Sequence, residues 1–342
     1  MNQNKLKLDN SVSMIEINLE GGSYIDFRLK TNPVNPLNWR YNSDDGLAFE
    51  GHFICFDRWG PPSLSESDNG FKHHGEASSV MWDVLTKDGN QDVSTNCTMQ
   101  CRLPMAGLEL TRKINLSAHF PVFKVTETIK NRNNNGRIFN IVQHVSIAPP
   151  FLDNSTLFDT NAVKGFEDKE NGTLNQEEPI FIWPNAIDKN NKSNLRIFDN
   201  TWPRVCTFLF EEKDEYAWVS AANPAKNLLL AYCWKSVEYP WINFWRSMEN
   251  GIPKAFGMEF GTTGLHEPMP IVAKKGKIFG QNIYDFIDSN EAITKSFIAI
   301  LAEIPTDYKG VKNIQIVDSK IIIKEKGSSD LINYKLSKSI TL

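Results

Sequence analysis

Cysteine is scarce in this 342-residue chain: there are five, an odd number, and no CxxC pair among them. Cys97 and Cys101 have three residues between them on what reads as a strand, which is neither a redox nor a zinc spacing. Cys55, Cys97, Cys101, Cys206 and Cys233 therefore read as reduced thiols packed as small hydrophobes, not as a disulfide framework. Long apolar runs are also missing. The longest, residues 296–304, ends at Pro305 and falls well short of the roughly 20 residues that cross a bilayer, so no membrane partner is expected. The amino terminus, Met1-Asn2-Gln3-Asn4-Lys5-Leu6-Lys7, is polar and has no basic-then-apolar leader. The compartment expected of the chain as it stands is cytoplasmic, or periplasmic or extracellular if a leader has been removed. Charge of either sign is not in excess: 37 Lys and Arg against 41 Asp and Glu give −4, which offers no basic surface for a phosphate backbone and excludes nucleic acid as a partner. HExxH, GxSxG, GxxxxGK[ST] and a strand-borne GxGxxG are all absent. His266-Glu267 is a bare dipeptide with no second ligand at metal spacing. No metal and no nucleotide cofactor is expected.

What is present suits a large core. The chain is 41% hydrophobic and 11% aromatic, outside the range of disordered sequences. Length alone favours two domains at about 150 residues each. The dominant period, however, is two throughout. Ile15, Ile17 and Leu19 alternate with polar residues; Phe123, Val125 and Ile129 share a parity, as do Phe139, Ile141, Val145 and Ile147. Residues 227–234, 297–303 and 314–323 read as further strands, and Gly21-Gly22, Asp88-Gly89, Asn135-Gly136 and Asn171-Gly172 read as turns. No apolar stripe of helical period persists for fifteen residues, so the fold class is all-β, a large antiparallel sandwich with few short helices. Two polar loops, residues 32–50 and 159–194, interrupt it. The second reads as an insertion within a single domain spanning residues 1–342, because similar strands resume after it. Residues 311–340 read as a closing hairpin of the same sheet.

Six histidines make placement informative. His144 is opposite in parity to the apolar set of its strand and shares a face with Asn140 and Ser146, so it points to solvent or into a cleft. His73 and His74 precede Gly75. Glu259, in Phe256-Gly257-Met258-Glu259-Phe260-Gly261, is a carboxylate bracketed by apolar and small residues, where partial burial would raise its pKa towards that of a working base. Arg58, at the end of the stretch from Gly51 to Gly60, stands beside Trp59 and offers donors next to an aromatic plate. Trp241 and Trp245 lie in an aromatic-rich run able to stack on a sugar face or to fill a core.

Taken in order, these elements resemble the galactose mutarotase-like superfamily, which includes the aldose 1-epimerases. The glycine-led strand ending in Arg58, the His74-Gly75 pair leading to Trp82, His144 in Val142-Gln143-His144-Val145, and Glu259 follow that family's order, with separations of 16, 70 and 115 residues. Glu76-Ala77-Ser78 stands where many relatives carry an Arg. The resemblance implies a β-supersandwich over nearly the whole chain and a small sugar, or the end of an oligosaccharide, as ligand. It also implies anomer interconversion by ring opening, with Glu259 as base, His144 as acid facing it across a cleft, His74 and Arg58 holding hydroxyls, and Trp241 or Trp245 walling the pocket. Two other readings use the same scaffold. One is a carbohydrate-binding or sensing protein without turnover. The other is a lyase or a glycoside hydrolase, the latter needing a second carboxylate such as Glu249 or Glu267.

Overall fold

The computed structural model describes residues 4–42, 48–88, 95–167, 181–188, 191–198 and 205–342. Alternation of buried and part-buried residues along Ser13–Asn18 and Val122–Asn131 shows why these segments are strands: each has one face to bury and one to leave wet. Among the described residues, thirteen strands form one sheet and eight form a second. The centre of the larger sheet runs, side by side and antiparallel, through His52–Asp57, Arg137–Ile147, Ile252–Gly261, Trp241–Glu249 and Val205–Leu209. The smaller sheet is centred on Leu228–Lys235, Ala292–Glu303, Val122–Asn131 and Leu108–Leu116.

The two sheets close over one apolar interior. Phe139, Ile141, Val145 and Ile147 enter it from the larger sheet and Phe123, Val125 and Ile129 from the smaller one. Phe260 and Trp234 stack across it with ring centroids 4.0 Å apart. An ion pair lies within this interior: Arg112 Nη2 is 2.7 Å from Glu127 Oε1, with both side chains essentially inaccessible. Gln143 donates to the other carboxylate oxygen at 2.6 Å, and the guanidinium lies 4.4 Å from the Trp82 ring centroid. Trp82 is thus a partner of the core cation. All five cysteines are free and buried, as their scarcity suggested.

Among the described residues the α-helices are Leu64–Asp68 and Met269–Lys275, both short, and none is long and apolar enough to cross a membrane. Three readings of the sequence need correction. The run 314–323 is two strands, Val311–Val317 and Lys320–Glu325, joined at Asp318-Ser319, where both residues take left-handed φ of 48° and 59°. With Leu331–Lys335 they form a separate three-stranded sheet, not a hairpin of the main one. Its Val311, Ile314, Ile321 and Ile323 pack on Trp218, Leu229, Cys233 and Ile298, covering the outer face of the smaller sheet as a third layer. The polar stretch 159–194 also carries strands: Lys164–Glu167, Phe181–Ile182, Asn185–Asp188 and Asn191–Asn194 extend the larger sheet, and its Asn171-Gly172 turn lies outside the described residues. Within 32–50, Arg40–Asn42 and Ala48–Glu50 pair with each other.

Candidate active site

Four side chains stand in one rung across the centre of the larger sheet. Phe53 is opposite His144, His144 is opposite Glu259, and Glu259 is opposite Asn243. Neighbours on these strands with the opposite parity enter the inter-sheet core, so this rung faces outward. There Phe49, Phe53, Cys55, Trp59 and Val142 form a second apolar cluster, with Trp39 and Val205 at its margin.

Glu259 Oε1 and His144 Nε2 are 3.0 Å apart. The Trp59 indole N–H donates to Glu259 Oε2 at 2.8 Å, and His144 Nδ1 lies 3.0 Å from Ser146 Oγ, two residues along the same face. Trp59, Glu259, His144 and Ser146 therefore form one continuous hydrogen-bonded chain. Asn243 supports the backbone beneath it, donating to the carbonyls of Glu259 at 3.3 Å and Thr263 at 3.2 Å, while its own oxygen accepts from Thr207 at 2.8 Å. Gly257 makes room for the acid. A Cβ there would stand 2.6 Å from Glu259 Oε1, closer than any side chain tolerates.

Glu259 is 1% exposed and His144 6%, and burial sets their electrostatics. It pushes the Glu259 carboxyl up to about 8, against the opposing pull of the Trp59 hydrogen bond. It holds the His144 imidazole well below the ordinary histidine range. Each group disfavours its charged form in so dry a place, so near neutral pH the pair holds one proton, shared as a protonated carboxyl facing a neutral imidazole. Two such close groups titrate as a unit.

His74 joins the rung from a loop. Its Nδ1 donates to the Trp59 carbonyl at 2.6 Å, and its ring centroid is 5.4 Å from that of His144. Its backbone is left-handed, φ 63°. Gly75 follows at φ 78° and lies so close to the His52–Asp57 strand that a Cβ would sit 1.9 Å from the Phe56 carbonyl oxygen. The glycine is what allows the His-Gly pair to lie against this strand.

The structure thus brings His74, His144 and Glu259 together, with Trp59 bonded to two of them. It alters the expected facing: His144 and Glu259 do not face each other across a cleft but touch, as nearest neighbours on adjacent strands. Trp245 lies at the rim, half-buried, with its ring 6.3 Å from His144 and 5.9 Å from Trp39. Trp241 does not line this space. It is fully buried among Phe166, Leu209, Leu265 and Met269, and its indole N–H donates to the Asn282 carbonyl. Arg58 is buried too, paired with Asp57 at 2.9 Å and Glu66 at 2.8 Å and lying 4.2 Å from the Phe71 ring centroid. Its guanidinium is held between those two carboxylates, and it anchors the turn that carries Trp59. Glu249 is exposed and pairs with Lys254. It lies six residues beyond Asn243 along the Trp241–Glu249 strand, roughly 20 Å at strand rise, too far to partner Glu259 in glycoside hydrolysis. Trp39 is a site residue that sequence reasoning missed. Trp59 was read as an aromatic plate beside Arg58, and its part as the donor to Glu259 was not read.

No family model and no curated protein matches the sequence. Solved structures do match. A galactose mutarotase-like protein from Clostridium acetobutylicum superposes with a TM-score of 0.64 at 14% identity, over 88% of this chain and 95% of the other. A candidate aldose 1-epimerase from Escherichia coli K12 gives 0.60 at 14%, over 88% and 99%. A galactose mutarotase-like protein from Lactobacillus casei gives 0.59 at 12%, over 87% and 100%. The fold of this chain, from its paired antiparallel sheets to its length, is that of the galactose mutarotase-like proteins.

Proposed function

We propose that the chain interconverts the anomers of a free aldose, with Glu259 and His144 as the acid–base pair. The observation that carries this reading is the 3.0 Å contact between the buried Glu259 carboxyl and the buried His144 imidazole. Anomerisation needs a base at the C1 hydroxyl and an acid at the ring oxygen. In the neutral form of the pair, His144 Nε2 takes the C1 hydroxyl proton while the Glu259 carboxyl gives its proton to the ring oxygen. The C1 to ring-oxygen bond breaks, and C1 becomes the aldehyde carbon. Rotation about the bond from C1 to C2 turns the other aldehyde face to the ring-closing oxygen, and the two proton transfers reverse. The opposite assignment, Glu259 as base and His144 as acid, differs from this one by a single proton shift along the 3.0 Å hydrogen bond. Because the reaction is its own reverse, the pair serves both directions.

The walls suit a sugar. Trp39, Phe53 and Trp245 surround the pair with apolar faces on which the C–H face of a pyranose stacks, and the His74 ring stands beside it. Arg58 and Trp241 have no part in this reading, because Arg58 is buried between Asp57 and Glu66 and Trp241 is buried in a separate apolar cluster. Polarimetry on freshly dissolved α-anomers of a panel of aldoses tests it, with wild type and Glu259→Gln compared. Acceleration by the wild type that falls by roughly 100-fold or more in the variant is expected. Sugar binding without acceleration would replace this reading with that of a binding or sensing protein.

A further inference from the structure

The sequence separates His266 from His73 by 193 residues, yet the fold places His73 Nε2 and His266 Nε2 3.2 Å apart. One ligand nitrogen each from His73, His74 and His266 falls within a group spanning no more than 4.8 Å. We infer that these three imidazoles form a binding site for one divalent transition ion of the zinc class, beside the Glu259–His144 pair and distinct from it.

The geometry carries this. Metal–nitrogen bonds of roughly 2.0–2.1 Å at tetrahedral angles hold ligand nitrogens roughly 3.3–3.4 Å apart, close to the separation already present between His73 and His266. The third nitrogen needs to close by little more than 1 Å, within the reach of a ring rotation. A hydrogen bond between two imidazoles would occupy only two of the three rings, whereas one ion would engage all three. Three converging imidazoles are the nitrogen-donor set that suits zinc, cobalt, nickel or copper. His74 is oriented as metal-binding histidines are: Nδ1 is bonded to the Trp59 backbone carbonyl at 2.6 Å, which fixes the tautomer and leaves Nε2 as the lone-pair nitrogen. The backbone at His74 is left-handed, φ 63°, a region that histidine enters more readily than most side chains. It stacks the His73 and His74 rings at 3.9 Å, while Trp59 packs edge-on against His266 at 4.8 Å. His73 and His266 are half-buried, so a fourth coordination position is open to water or to a hydroxyl ligand.

The site is argued from these residues alone and does not depend on the sugar reading. Its test reads metal binding and not turnover, so either proposal can fail without the other. Chelator-stripped full-length protein is titrated with Zn(II) by calorimetry and with Co(II) by visible absorption. One equivalent of each, with the strong absorption of four-coordinate Co(II), is expected. His73→Ala and His266→Ala should each weaken Zn(II) binding at least tenfold, while His119→Ala, at an exposed position, should leave it unchanged. Where a variant does not fold, X-ray absorption of zinc-loaded wild type serves instead and should show three imidazole ligands. Absence of binding by wild type, unaltered affinity in folded His73→Ala and His266→Ala proteins, or fewer than three imidazoles on the zinc would overturn the inference.

Discussion

Replacing Trp59 by Phe removes a single hydrogen bond and keeps the aromatic packing, which makes it a sharp probe of the acid–base pair. The indole N–H reaches Glu259 Oε2 at 2.8 Å and stabilises the carboxylate more than the carboxylic acid. A hydrogen bond to an ionised group contributes about 1.5–3 kcal/mol and one to a neutral group about 0.5–1.5. Their difference, about 1–1.5 kcal/mol, corresponds to roughly one pH unit. The proton shared with His144 is the last one the pair holds, and burial has already pushed Glu259 up to about 8. The titratable groups facing this carboxyl are His144 and the Cys55 thiol, itself pushed up by burial and by Glu259. Wild-type kcat/KM should therefore be level through neutral pH and fall above about 8, as the shared proton is lost. In Trp59→Phe the carboxylate is less stabilised, so that alkaline limb should move up by roughly one pH unit. Mutarotation followed from pH 6 to 10 in both proteins, with melting curves as a check on folding, measures this. An alkaline limb that stays in place or moves down in a folded variant would refute the reasoning.

Three further outcomes follow from the same residues. A carboxyl raised by burial from 4.5 to about 8 binds its proton more tightly folded than unfolded, so it costs stability increasingly as pH rises from 4.5 towards 8 and no further above that. Glu259→Gln needs no proton, so its melting temperature should exceed that of wild type by a margin that grows between pH 5 and 8; a constant margin would contradict this. Gly257→Ala should lower kcat at least tenfold in a folded protein, because the added Cβ takes space within 2.6 Å of Glu259 Oε1; unchanged kcat would show that the carboxylate position is not critical. Arg112→Met strands the Glu127 charge inside the core and should cost roughly 3–5 kcal/mol in urea denaturation, much of it recovered by adding Glu127→Leu.

Much of the candidate site was legible because strand parity is a strict rule. Once Phe139, Ile141, Val145 and Ile147 were read as core, His144 had to face the other way, and the structure has it so. Glu259 stood out because an acid among glycines and aromatics has little to pair with locally. The contact between the two was not legible, since register between strands 115 residues apart is set by the whole sheet. Arg58 and Trp59 show the limit of reading neighbours as a unit. The strand ends at Asp57, whose φ is 83°, so beyond it the two side chains part: Arg58 goes to Asp57 and Glu66 while Trp59 reaches Glu259. Trp241 and Trp245 share a face, yet Met269–Lys275 and its flanks bury only Trp241. No local pattern announces which aromatic a distant helix will cover. The convergence of His73 and His266 was hidden for the same reason: ligand spacing in sequence is informative only where one element carries both ligands.

The central claim is that Glu259 and His144 exchange protons with a sugar as a unit. Two-dimensional exchange spectroscopy on the anomeric carbon signals of an aldose at equilibrium, with a trace of protein at pH 7, reads that exchange without any net reaction. Cross-peaks between the α and β signals that appear with wild type and vanish with Glu259→Gln or His144→Ala are the predicted result. Cross-peaks of undiminished intensity with either variant, folded and at equal concentration, would contradict it.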